Sequence, residues 1–151
     1  MAVRLTAKYN FRMRKPYTQL FIHLVWATWD RLPLIRPDYE PRLYSAIVRK
    51  CEALHCKVIA VNGVADHVHV LTYIPATITI ADLVQHIKGS TSHLMNHEIA
   101  PERRFKWQGA YGAFSVSKMM TDKVATYVRN QKQHHRDRQL VDELEQSDVA
   151  I

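Results

Sequence analysis

Apolar and polar positions alternate or recur with clear periods along most of this chain. From Thr18 to Thr28 the residues are rich in β-branched and aromatic types, which predicts a strand. Pro33, Pro37 and Pro41 punctuate the loop that follows. Leu43, Ile47, Cys51 and Leu54, with Tyr44 and Val48 beside them, recur at helical spacing and predict the first helix. Lys57 to Val61 predicts a second strand, Asn62-Gly63 a turn, and Asp66 to Ile74 a third strand, because Asn-Gly between apolar runs is a hairpin signal. Beyond Pro75 and Thr77, the positions Ile80, Leu83, Val84, Ile87 and Leu94 predict a second amphipathic helix, with Thr79 as its N-cap. Tyr111 to Ser117 predicts a fourth strand, and Val124, Tyr127, Val128 and Gln131 mark a third helix.

The order of these elements is that of a split βαβ, ferredoxin-like α+β fold. It is a four-stranded antiparallel sheet with helices on one face, plus an extra C-terminal helix that carries Tyr127. That fold hosts many functions and selects none of them.

Composition narrows the class. At 151 residues, 47% hydrophobic and 23% charged, the chain is one globular domain, able to bury roughly 70% of the surface exposed when unfolded. No apolar run approaches the ~18 residues of a membrane span; Leu20 to Ala27 is interrupted by His23. Arg4, Lys8, Arg12, Arg14 and Lys15 precede no apolar block, so the start of the chain does not read as a secretory signal. Cys51 and Cys56 form neither a disulfide framework nor a zinc site, and the expected compartment is the cytoplasm. The formal net charge of +7 favours a polyanionic partner. Its distribution divides the chain into a basic arm (1–15), a central domain (16–136) and an acidic tail (137–151). Arg103, Arg104 and Lys106 flank Trp107, and Arg129, Lys132 and Arg136 share a late segment. Each cluster also fits a plain solvated face.

Two short runs carry chemistry. In Asp66-His67-Val68-His69-Val70, strand alternation puts both imidazoles on one face and both valines on the other. The histidines then lie roughly 7 Å apart along the strand, close enough to converge on one metal ion. By themselves they equally suit a polar sheet face. In Tyr127-Val128-Arg129-Asn130-Gln131, the tyrosine and glutamine are one helical turn apart on one face. Alone, Tyr127 fits a core aromatic with its hydroxyl at the rim. Together the runs are complementary. Two neutral imidazoles and a glutamine carbonyl would hold a divalent cation without cancelling its charge. A tyrosine hydroxyl, with an ordinary pKa near ~10, needs such assistance to attack phosphorus.

With these runs in view, the chain resembles the HUH endonucleases, and more closely the tyrosine transposases of small insertion sequences that move as single-stranded DNA (the 200/605 type) and their REP-associated relatives. The resemblance rests on His67-Val68-His69 and four further matches in order: His23-Leu24-Val25-Trp26, Lys88-Gly89-Ser90, Lys106-Trp107-Gln108 before Gly109-Ala110-Tyr111, and Tyr127 through Gln131. It covers about residues 18 to 135. It implies cleavage and rejoining of single-stranded DNA at hairpin-marked ends through a 5′-phosphotyrosine intermediate. Tyr127 would be the nucleophile, and His67, His69 and Gln131 the ligands of Mg²⁺ or Mn²⁺. It also implies a homodimer. Lys88, Arg103, Arg104, Lys106, Trp107, Arg129 and Lys132 are the candidate DNA contacts, with Trp107 available to stack on a base or to sit in the core. His134 and His135 could touch phosphate or stand in plain solvent, while His86, His93 and His97 read as ordinary surface or hydrogen-bonding groups. Two rivals stand beside this reading: a domesticated relative that processes chromosomal repeats, and a nucleic-acid-binding module that has lost catalysis.

Overall fold

The computed structural model describes residues 14–150, so most of the expected basic arm lies outside the described residues. Four strands form one antiparallel sheet in the order β2-β3-β1-β4. They are β1 (Phe21–Ala27), β2 (Lys57–Val64), β3 (His67–Tyr73) and β4 (Gly112–Val116). Helices α1 (Glu40–Ala53) and α2 (Ile80–Leu94) connect β1 to β2 and β3 to β4. This is the expected pair of interleaved split βαβ units. A second group of helices follows β4: α3 (Thr121–Arg129), α4 (Gln131–Asp137) and the single turn α5 (Asp142–Glu145). None of the helices among the described residues is long and apolar enough to cross a membrane.

Alternation along the two central strands divides the molecule into layers. Ile22, Leu24 and Trp26 of β1, with Val68 and Val70 of β3, face α1 and α2. There they meet Leu43, Ile47 and Cys51, spaced four apart on α1, and Leu83, Val84 and Ile87 on α2. Burying each of the larger side chains contributes roughly 1.5–3 kcal/mol. Pro41 opens α1, where its missing N–H costs nothing. Thr79 caps α2 as expected, its hydroxyl accepting from the Asp82 amide at 3.1 Å. The opposite face carries a smaller cluster in which Val124, Ala125 and Val128 of α3 pack on Ala60 and Leu71. Beyond it, on the same face, lie His67 and His69, and the strand is buried on both sides.

Two details differ from the sequence expectation. Asn62-Gly63 is not the turn: β2 runs on to Val64, and Ala65-Asp66 closes the hairpin with Val64 opposite His67. Gly63 is there because the paired strand comes close; a Cβ at that position would lie 2.2 Å from the His67 carbonyl oxygen. The third helix is also two pieces. It breaks at Asn130, whose backbone (φ −96°, ψ 17°) leaves the helical region, so Tyr127 ends one segment and Gln131 begins the next.

Replacing Gly63 with Ala should force the β2–β3 pair apart beside the histidines. A loss of about 2–3 kcal/mol in chemical denaturation is expected. Unchanged stability would contradict the close approach.

Candidate metal and tyrosine site

β3 presents His67 and His69 side by side on the face covered by α3 and α4, with ring centroids 5.1 Å apart. The two imidazoles are held differently. His67 Nδ1 lies 2.7 Å from Asp66 Oδ1. An N–H there turns the Nε2 lone pair toward the site, the arrangement common for metal-bound histidines. His67 Nε2 is buried and lies 3.2 Å from Glu145 Oε2, but off the line of a hydrogen bond. His69 Nδ1 lies 2.9 Å from Nε2 of His23, a fully buried histidine of β1 whose ring stacks on His69. That leaves His69 Nε2 facing Glu145 Oε2 at 3.2 Å.

Tyr127 enters from the end of α3. It is mostly buried, and its hydroxyl donates to Glu145 Oε1 at 2.5 Å while accepting from the Val141 amide at 3.1 Å. His134 stacks on its ring at 4.7 Å. Gln131, fully buried at the start of α4, donates its amide to Glu145 Oε1, and its carbonyl lies 3.2 Å from His135 Nε2.

The structure therefore brings together His67, His69, Tyr127 and Gln131, the four residues that the sequence singles out for chemistry. At their centre it adds Glu145, from a segment read only as an acidic tail. The ligand atoms of His67, His69 and Glu145 all lie within 4.8 Å of one another. Glu145 was not legible because a carboxylate in an acidic run carries no periodic signal, and it reaches the site only through the fold-back after α4. One trace of that fold-back exists in the sequence. Gly112 of β4 leaves room for the tail, since a Cβ there would lie 2.0 Å from the Gln146 carbonyl oxygen. His23 was quoted only as part of a strand motif; its pairing with His69 depends on the β1–β3 register, which places Val25 opposite His69.

The site's electrostatics follow from burial and from this one carboxylate. Burial, with His69 close by, drives His23 down to about 3 and keeps it neutral. Burial also lowers His69. Burial would lower His67 too, but Asp66 and Glu145 outweigh it and carry the imidazole up to about 9. Although burial opposes it, contact with His67 and His69 holds Glu145 far below the ordinary carboxylate range. Burial and the bond to Glu145 push the Tyr127 hydroxyl up to about 12, so it keeps its proton in this state.

The donor set suits a divalent cation. Two imidazole nitrogens and a carboxylate oxygen converge, with one imidazole nitrogen buried and without a hydrogen-bond partner.

The candidate DNA contacts fall into two groups. Arg103, Arg104 and Lys106 line an open cleft of about 690 Å³ at one end of the sheet. The others are engaged within the protein. Lys88 donates to the carbonyls of Gln108 and Ala110, each at 2.7 Å, and burial lowers it to about 8. Lys132 pairs with Glu40 at 3.0 Å and reaches Asn62 at 2.8 Å. Arg129 donates to the Ile59 carbonyl. Trp107 is a core residue: it is 6% exposed and its indole N–H donates to Thr91 Oγ1 at 2.9 Å.

Comparison with known proteins was made against this geometry. The family described as "Transposase IS200 like" matches residues 16–131. Transposases for insertion sequence element IS200 from Salmonella typhimurium and from Salmonella typhi are each 28% identical over 115 residues, spanning 72% of this chain and 74% of their own length. Among solved structures, a candidate transposase from Deinococcus radiodurans R1 superimposes with a TM-score of 0.64 at 22% identity, over 78% of this chain and 95% of that one. A REP-associated tyrosine transposase bound to a REP hairpin does so with a TM-score of 0.61 at 14% identity, over 81% and 72%. At such identities the structural likeness speaks for the fold.

His23 should matter without touching a ligand. Replacing it with Leu removes the partner of His69 Nδ1, and such supporting groups are worth roughly 10–100-fold in metal affinity. Titration calorimetry with Mn²⁺ tests this; wild-type affinity in His23→Leu would remove His23 from the site.

Proposed function

This chain belongs to the IS200-like transposase family, and from that premise we propose that it cuts and rejoins single-stranded DNA through Tyr127 with the help of a divalent metal ion. The observation that carries the reading is the meeting of the Tyr127 hydroxyl with the His67–His69–Glu145 cluster through a single carboxylate. A nucleophile and a cation-holding group are thereby joined in one small buried space.

In this reading His67, His69 and Glu145 would hold the ion, Mg²⁺ or Mn²⁺. Gln131, the further ligand implied by the resemblance, would have to turn its amide, because its nitrogen faces Glu145 and its oxygen faces His135. The ion, when bound, would polarise a phosphodiester and orient it. The protein's own groups account for the rest. Asp66 accepts from His67 Nδ1–H, and His23 Nε2 would accept from His69 Nδ1–H in the tautomer that leaves both Nε2 atoms toward the site. The hydroxyl proton of Tyr127 already points at Glu145 Oε1, its nearest acceptor. As Tyr127 Oη bonds to phosphorus, its proton passes by way of Glu145 Oε1 and the bond to the 3′ oxygen breaks; the 5′ phosphate stays on the tyrosine and the leaving 3′ oxygen takes up a proton to become a hydroxyl. Rejoining is the reverse attack by a 3′ hydroxyl on the phosphotyrosine, which restores the Tyr127 hydroxyl. Since the resting hydroxyl is raised to about 12, attack at neutral pH requires positive charge beside it.

The substrate in this reading is single-stranded DNA bearing a hairpin. The hairpin bound to the REP-associated neighbour supports that class, and so does the excess of basic over acidic residues. The working unit is a homodimer, as the sequence resemblance implies.

Two outcomes test the assignment. With Mn²⁺ and labelled single-stranded hairpins from the DNA flanking the gene, a denaturing gel should show a covalent protein–DNA adduct. Tyr127→Phe should abolish that adduct while hairpin affinity stays within about twofold, because only one hydroxyl is lost. An adduct surviving in Tyr127→Phe would sink the nucleophile assignment. Separately, Glu145→Gln should weaken Mn²⁺ binding by roughly tenfold or more, since it removes the one charged ligand of the cluster. Unaltered Mn²⁺ affinity would exclude Glu145 as a ligand.

A further inference from the structure

The cleft at the end of the sheet contains an aromatic residue that the sequence motifs do not point to. Trp29 follows β1 directly and is 49% exposed, whereas Trp26 and Trp107, the chain's other tryptophans, are 0% and 6% exposed. It lines the cleft with Leu32, Arg103, Arg104, Phe105 and Lys106. Lys106 Nζ lies 3.7 Å from the Trp29 ring centroid, a cation–π contact over one face of the indole. Three cations face one anion, Glu102, on the cleft wall.

The surroundings are built to hold this ring in place. The Trp29 amide donates to the Lys106 carbonyl at 2.9 Å. Asp30 and Arg31, which follow it, both adopt left-handed backbone (φ 51° and 49°), a region that non-glycine residues avoid and that concentrates at functional sites. Thr28 Oγ1 closes the turn by donating to the Leu32 carbonyl at 2.6 Å. On the far wall the Asn96 side chain clasps Phe105 by two hydrogen bonds, of 2.7 and 2.8 Å. The Phe105 ring rests edge-on against buried Trp107. Trp107 thus supports the cleft from below instead of lining it as a stacking surface.

The cleft also adjoins the chemical site. Ala27 pairs with His67 across the β1–β3 ladder, and the Thr28 amide donates to the Asp66 carbonyl at 2.8 Å. Arg31 reaches toward Asp66 at 4.0 Å, and Asp66 is the residue that holds His67. Trp29 therefore lies two residues along the chain from the partner of a proposed metal ligand.

We propose that Trp29 is a stacking platform for one unpaired nucleobase next to the scissile phosphate, with Arg103 and Arg104 engaging the flanking phosphates. An indole accepts the face of any base, and the cations neutralise the backbone on either side of it. The inference rests on the single-stranded DNA reading and adds the element that distinguishes an unpaired strand from a duplex, whose bases are already stacked on one another.

The test uses the full chain and two single-stranded probes of about twenty nucleotides, one of mixed sequence and one with the same backbone but abasic throughout. Wild-type protein should bind the base-bearing strand on the order of tenfold more tightly by fluorescence anisotropy, the scale of one base–aromatic contact. Trp29→Ala should bring the two affinities together without changing the salt dependence. Trp29→Phe, which keeps a ring and serves as the folding control, should preserve most of the preference. Tryptophan emission should be quenched by the base-bearing strand only, and that quenching should vanish in Trp29→Phe, because the remaining tryptophans are buried. If Trp29→Ala keeps the wild-type preference and still forms the Tyr127 adduct, the platform is overturned while the transposase reading stands. If the wild-type protein binds neither probe nor hairpin DNA, both fall together.

Discussion

Everything of interest in this molecule hangs on the antiparallel ladder between β1 and β3. Because a strand turns successive side chains to opposite faces, the pairing that buries Leu24, Trp26, Val68 and Val70 against the helices must turn His23, His67 and His69 the other way. A slip of one residue would put the imidazoles into the apolar core and the valines under α3 and α4. The ladder also sets Ala27 against His67, so that the chain leaving β1 passes the histidine cluster before it presents Trp29. Core, cluster and cleft are three consequences of one register.

That register was only partly legible in the sequence. The strands and helices were read from composition or period: β1 through its β-branched and aromatic residues, β3 through its valines, α1 through Leu43, Ile47 and Cys51, and α2 through Leu83, Val84 and Ile87 with its threonine cap. The pairing of Tyr127 with Gln131 also follows from helical spacing, and the two do meet, although the helix breaks between them. What escaped is what has no period. Gly63 looked like a turn residue because Asn-Gly usually is one; here the short Ala65-Asp66 connection closes the hairpin and glycine serves a close contact between strands. Trp107 and Trp29 show the same limit. Trp107 follows Lys106 and Trp29 precedes Asp30 and Arg31, and only the fold buries one and exposes the other. Glu145 and His23 reach the cluster by tertiary contacts that no local pattern encodes.

The cluster itself is an electrostatic problem. A mostly buried carboxylate, Glu145, sits among His67, His69, Gln131 and Tyr127, and Asp66 stands just behind His67. Removing charges from water is expensive unless they are paired and hydrogen-bonded. With His23 and His69 kept neutral by burial, His67 is the one imidazole here driven toward its charged form, facing two carboxylates. Arg31, 4.0 Å from Asp66, offsets part of this charge; once His67 gives up its proton the two carboxylates outweigh the guanidinium and the pocket is short of a cation. This is the opposite of what a phosphate needs from its surroundings, and it explains why a chain of net charge +7 can be acidic at its chemical centre.

The positive charge lies elsewhere. Arg103, Arg104 and Lys106 stand around the neighbouring cleft, so under the proposed function the two regions would divide the work that nucleic-acid chemistry demands. Attraction of a polyanion depends on many phosphates and tolerates distance, and so surface cations away from the chemical centre suffice for it. Stabilising charge on a single phosphorus demands fixed groups at close range in a space from which water is excluded. A site already crowded with arginine and lysine would repel a divalent ion; one built from imidazoles that can give up their protons and a carboxylate attracts it. Separating the basic cleft from the acidic cluster, while joining them through the few residues between Ala27 and Arg31, lets one small domain meet both requirements.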